Sequence, residues 1–157
     1  MRQTTIPDRP MHSAPVLSKL IAQARALNTF IVEDSPLILE KLVTTLEELT
    51  PVTIVGTAAD ERNAVAWLQQ PEHKADLLII DIFLKSGSGL GVLRSVNELA
   101  LPGKRVVLTN YATAEMREAC RRLGADRIFD KSSELEELLA YCERLGRGAD
   151  SAPGDPN

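Results

Sequence analysis

Aromatic residues are scarce: one Trp, two Tyr and three Phe in a chain of 157. A mainly aliphatic core follows, and stacking of nucleic-acid bases on aromatic platforms is not expected as the main activity. Cysteine is almost absent. Cys120 and Cys142 both fall in helix-type patterns, which leaves neither a disulfide framework nor a zinc-type ligand set. Positive charge is not in excess, since 18 Lys and Arg face 22 Asp and Glu for a net charge of −4. A basic DNA-binding face is therefore not expected. No apolar run nears the roughly 18 to 20 residues that cross a bilayer. Arg2 and Arg9 near the start precede no apolar block of the secretory kind. These absences point to a cytoplasmic protein without membrane or direct nucleic-acid contact.

What is present is ordinary globular material, 44% hydrophobic and 25% charged, at a length that suits one domain. Residues 1–15 and 146–157 are rich in Pro, Gly and polar residues and read as mobile, disordered tails. Between them, short β-type apolar runs alternate with helix-type segments. The runs are Thr29–Val32, Val52–Val55, Leu77–Ile80, Val106–Leu108 and Ile128–Phe129. After the first run, Leu39, Leu42, Val43 and Leu46 form one helical stripe, with Pro36 suited to its first turn and Ser35 to its cap. Asp60 is placed to cap the second helix. Gly124 ends the fourth. The fifth begins at Ser132-Ser133-Glu134, where Ser133 and Glu136 have the spacing of a capping box.

Strict β-α alternation implies a parallel sheet covered on both faces. Leu77–Ile80, apolar without alternation, reads as its central strand. Right-handed crossovers then favour the flavodoxin-like (βα)5 fold with strand order 2-1-3-4-5. This places the domain at residues 28–145. Ahead of it, Val16, Leu17, Leu20, Ile21, Ala24 and Leu27 form an apolar stripe on a candidate amphipathic helix, 16–27. That helix packs on its own domain or serves dimerisation or partner docking.

Ligands of such sheets bind beyond the carboxyl ends of the strands, where strand order reverses. Glu33 and Asp34 follow the first strand there, Asp81 the third, Thr109 the fourth and Lys131 the fifth. Three acids so close repel one another unless a cation neutralises them. Oxygen donors with no nearby His or Cys suit Mg²⁺ or Mn²⁺, which would bind a phosphoryl group as a further ligand. Helix capping explains Asp34 or Asp81 singly, but not the Lys and Thr that face them.

These residues resemble the receiver domains of two-component response regulators. The matching stretches are Glu33-Asp34 in FIVEDSPLI, Asp81 in LLIIDIFLKSGSG, Thr109 in VVLTNYA and Lys131 in RIFDKSS, separated by 47, 28 and 22 residues from Asp34 onward. The resemblance implies that Asp81 is the phosphoacceptor for a histidine kinase or phosphotransfer protein. It further implies that Asp34 binds Mg²⁺ directly, Glu33 mainly through water, and Phe83 through its backbone carbonyl. Lys131 and Thr109 would contact the phosphoryl group. The protein would be no enzyme beyond catalysing its own phosphorylation and dephosphorylation. His12 and His73 lie outside the cluster.

Four positions depart from the family pattern. Ile128 stands three before Lys131, where an aromatic usually rotates on activation, and Phe129 should point the other way. Ser132 replaces the proline after the lysine, Asn110 a small residue after the threonine, and Lys85 the proline four past Asp81. Rival readings lack their motifs: no G-x-G-x-x-G follows the first strand. Glu33-Asp34 would repel a flavin phosphate, and Phe83 stands where a haloacid-dehalogenase-type phosphatase needs a second acid. A receiver-fold interaction module that works without phosphorylation is the remaining alternative.

The dozen residues after the fifth helix are too few for an effector domain. The expectation is thus a single-domain regulator, a monomer or weak homodimer, signalling by protein–protein contact or phosphorelay. By resemblance, its output face comprises Thr113–Leu123, Arg127–Phe129 and Glu134–Leu145.

Overall fold

The computed structural model describes residues 26–148. Five parallel strands form one sheet in the order β2-β1-β3-β4-β5: β1 Leu27–Val32, β2 Val52–Ala58, β3 Leu77–Asp81, β4 Lys104–Thr109 and β5 Arg127–Asp130. The helices are α1 Pro36–Leu49, α2 Glu61–Leu68, α3 Gly89–Glu98, α4 Ala114–Arg122 and α5 Leu135–Gly146. This is the flavodoxin-like (βα)5 arrangement expected from the alternation of patterns.

Period-two alternation divides the strand side chains between two cores. Leu27, Ile31, Leu77, Ile79, Val106, Leu108 and Phe129 pack under Leu42 and Leu46 of α1 and Leu138, Tyr141 and Cys142 of α5. Phe30, Val32, Leu78, Ile80, Val107 and Ile128 pack under α2, α3 and α4, against Ala64, Val92, Val96 and Cys120. Burying each large aliphatic side chain contributes about 1.5–3 kcal/mol. Ile128 and Phe129 do point to opposite faces. Phe30 stacks on Trp67, whose indole stacks in turn on His73, with ring centroids 4.3 and 4.1 Å apart.

The helix starts follow the sequence signals in most cases. Ser35 Oγ accepts from the Ile38 amide, with Pro36 in the first turn, and Asp60 Oδ1 accepts from the Asn63 amide. The fifth helix differs. Its N-cap is Glu134, without a side-chain cap bond, so no capping box forms at Ser133. Asp130 takes the Ser132 and Ser133 amides and the Ser132 hydroxyl instead, which makes a turn before the helix. The outer elements also extend one residue past each end of residues 28–145. Leu27 is buried in β1, its amide donating to the Pro51 carbonyl, and Gly146 is buried within α5. Residues 1–25, which hold the tail 1–15 and all but the last two residues of the candidate N-terminal helix, and residues 149–157 lie outside the described residues. Among the described residues no helix is long and apolar enough to cross a membrane.

Candidate functional site

The alternation that sorts the cores also builds the site. Glu33 follows β1, Asp81 and Thr109 end β3 and β4, and Lys131 follows β5, so all four sit at the carboxyl end of the sheet. In register Asp81 pairs with Leu108, and Thr109 with Asp130. Carboxylate oxygens of Glu33, Asp34 and Asp81 lie within 4.8 Å of one another. Glu33 is 3% exposed, Asp81 6% and Thr109 fully buried, whereas Asp34 is half-buried at the mouth.

Lys131 closes the cluster from the far side. Its Nζ stands 2.7 Å from Glu33 Oε1 and 3.2 Å from Asp81 Oδ2. Burial pushes the Asp81 carboxyl above its ordinary value; the Lys131 charge pulls the other way, Glu33 adds to the rise, and the net shift is upward. For Lys131 burial alone would lower the pKa. The hydrogen bond to Glu33 and the charges of Asp81 and Glu33 outweigh it, so the ammonium is held charged. One ammonium against three carboxylates leaves a negative remainder. A compact set of hard oxygen donors with that charge fits a divalent cation such as Mg²⁺.

Backbone groups hold the acids in place. Glu33 Oε2 accepts from the Ser35 amide at 3.0 Å, and Asp34 Oδ2 from the Lys85 amide at 2.7 Å. The Phe83 amide reaches Asp81 Oδ1 at 3.4 Å. Thr109 Oγ1 accepts from the Tyr111 amide at 3.2 Å, and its carbonyl accepts from the Lys131 amide at 2.8 Å. Glu33, Asp34, Asp81 and Lys131 are thus brought together, with Thr109 one register step away on the neighbouring strand. For Phe83 the tie to the cluster is its amide. Its ring is exposed and meets the Tyr111 ring edge-on at 5.0 Å between centroids.

Two side chains outside the sequence reading join this end of the sheet. Arg117 donates to the Ala112 and Ile128 carbonyls and to Glu134 Oε1, all at 2.9–3.1 Å. Glu61 accepts from the Ser88 amide in the loop after Asp81. Neither has a local sequence signature, because Ile128 and Glu134 for Arg117, and Ser88 for Glu61, lie on distant stretches of the chain.

A family model described as response regulator receiver domain matches residues 29–143. The chain belongs to this family. Among its relatives, a probable transcriptional regulatory protein of Picosynechococcus is 33% identical over 83% of this chain and 52% of its own length. The transcriptional regulatory protein CitB of Klebsiella pneumoniae is 25% identical over 78% of this chain and 51% of that protein. This receiver domain chain therefore spans about half the length of these curated relatives. Among solved structures, the receiver domain of a putative NarL response regulator from Mycobacterium tuberculosis superposes with a TM-score of 0.70 at 21% identity, over 79% of this chain and 98% of that one. The response regulator domain of Thermotoga maritima CheB gives 0.66 at 21% identity, over 84% and 100%. Both show the same fold.

Proposed function

We propose that this receiver domain accepts a phosphoryl group on Asp81 from a histidine kinase or phosphotransfer protein, in a Mg²⁺-dependent reaction. The observation that carries the reading is the buried Asp81 carboxylate, shared between the Lys131 ammonium and two further acids at one end of the sheet. Glu33, Asp34 and Asp81, with the Phe83 carbonyl, are the residues that would hold Mg²⁺. When bound, the ion supplies charge neutralisation between the nucleophile and the phosphoryl oxygens.

The chain's own groups do the rest. A carboxylate oxygen of Asp81 forms the new O–P bond as the P–N bond to the donor imidazole breaks. The bonding pair leaves with the imidazole nitrogen, so no catalytic His is needed in this chain. Lys131, already 3.2 Å from Asp81 Oδ2, offers its ammonium to a phosphoryl oxygen. The Thr109 hydroxyl accepts from the Tyr111 amide and keeps its own proton to donate. Asp34 and Glu33, both held by backbone amides, keep their oxygens oriented without reorganisation. Contacts of Thr109 and Lys131 with the phosphoryl group then favour one of two conformations. Output runs through the α4-β5-α5 face to a protein partner or a phosphorelay.

The test is incubation of the chain with Mg²⁺ and acetyl phosphate, followed by intact mass measurement. A single added phosphoryl group that disappears in Asp81→Asn is the expected result. An unmodified wild-type protein would overturn the reading in favour of an interaction module that works without phosphorylation.

A further inference from the structure

Glu61, the first residue of α2, belongs to a different crossover from the acids, yet it grips the loop that follows Asp81. Its amide donates to the Ser86 carbonyl at 3.3 Å, and its Oε1 accepts from the Ser88 amide at 2.9 Å. Its seat is carved by two glycines. Gly87 has φ +76°, and a Cβ there would come 2.5 Å from the Glu61 Cβ. A Cβ at Gly91, inside α3, would fall on the carboxylate itself. Glycine within a helix is unfavourable relative to alanine, and here the vacated space is filled by a charged group from another helix.

The same loop is tied at its other end to the acid cluster. The Lys85 amide bonds Asp34, the Phe83 amide reaches Asp81, and Phe83 and Ser88 pair as an isolated antiparallel bridge. Residues 83–88 are thus pinned between the site's acids and Glu61. We propose that Glu61 is a positioning residue for the phosphoacceptor site: its carboxylate orders the loop that presents the Lys85 amide to Asp34 and carries Phe83. The assignment rests on the receiver-site reading above. Without the Glu61 acceptor for the Ser88 amide, the loop gains freedom around Gly87, and that freedom must be lost again whenever the site binds its cation. An acid in the first turn also suits the helix dipole. That role needs neither the gap at Gly91 nor the Ser88 bond, and it depends on charge, whereas the positioning role depends on an acceptor oxygen.

The experiment compares the full chain with Glu61→Ala and Glu61→Gln. Amide hydrogen exchange is followed by NMR in the metal-free proteins, and Mg²⁺ alone is then titrated. In Glu61→Ala, exchange at Ser88 and Lys85 should quicken by about tenfold, the factor carried by one hydrogen bond, while β4 stays unchanged. Mg²⁺ affinity should fall by roughly threefold to tenfold in parallel. Glu61→Gln, which keeps the acceptor, should restore both to within about twofold of wild type. Unchanged Lys85 exchange in Glu61→Ala, or a Glu61→Gln protein as impaired as Glu61→Ala, would overturn the assignment. Failure of the wild type to bind Mg²⁺ would instead overturn the receiver-site reading on which it rests.

Discussion

The two ends of the sheet use the same residue type to opposite effect. At the amino end, Asp76 and Asp126 stand just before β3 and β5, both exposed. Each carboxylate takes the amide of a neighbouring strand, Asn28 at 2.9 Å and Arg105 at 2.8 Å. Their chemistry is spent on closing the sheet. At the carboxyl end, Glu33, Asp34 and Asp81 converge within 4.8 Å, and two of them are almost fully buried around one ammonium. An acid at a strand end is thus not in itself a site. Convergence, burial and an imperfect charge balance make it one.

That contrast can be broken most sharply at Asp81. Asp81→Asn should abolish acyl phosphate formation completely, seen by mass spectrometry, and leave the circular dichroism spectrum unchanged. Asp126→Ala at the opposite end should leave phosphorylation intact and cost about 1 kcal/mol in urea unfolding, the worth of one backbone hydrogen bond. Next in size, Asp34→Ala should weaken Mg²⁺ binding by about tenfold or more, because on the proposed reading it removes a ligand and not merely a support. The same change should raise stability at low salt by relieving repulsion among the acids. Lys131→Ala and Thr109→Ala should keep the fold and uncouple phosphorylation from the conformational response, checked by comparing NMR spectra with and without beryllofluoride. A Thr109→Ala protein that switches fully would remove that residue's role.

The smallest effect concerns Glu134. Its hydrogen bond to Arg117, with help from the Asp130 amide, holds the carboxyl below its ordinary value of 4.5. A carboxyl with a depressed folded-state pKa contributes stability that is full above its unfolded pKa and vanishes as pH falls through the folded one. Wild type should therefore exceed Glu134→Gln in stability at pH 7 by less than about 1 kcal/mol, the pair being partly exposed. The difference should close below the ordinary carboxylate range, as thermal midpoints at pH 7 and pH 3 would show.

Much of this was legible in one dimension. The apolar runs and their spacing predict the sheet order because parallel strands buried on both faces leave few topologies. Glu33, Asp34, Asp81, Thr109 and Lys131 were legible because each ends or follows a strand, and strand ends gather at one rim. The turn before α5 was not, since Ser133 and Glu136 satisfy a capping pattern that Asp130 outcompetes from the end of β5. Arg117 carries no signal in the sequence because its partners, the Ile128 carbonyl and Glu134, belong to other elements. Glu61 was hidden for the same reason, although Gly87 and Gly91 marked the space it fills. Long-range polar contacts leave no periodicity behind them.

The Phe30–Trp67–His73 stack gives the chain a built-in optical probe. Trp67 is the only tryptophan and lies on the helix that Glu61 begins. Ultraviolet emission from that one indole therefore reports how α2 is seated on the sheet, with no dye attached. Stopped-flow fluorescence can follow this face of the domain directly.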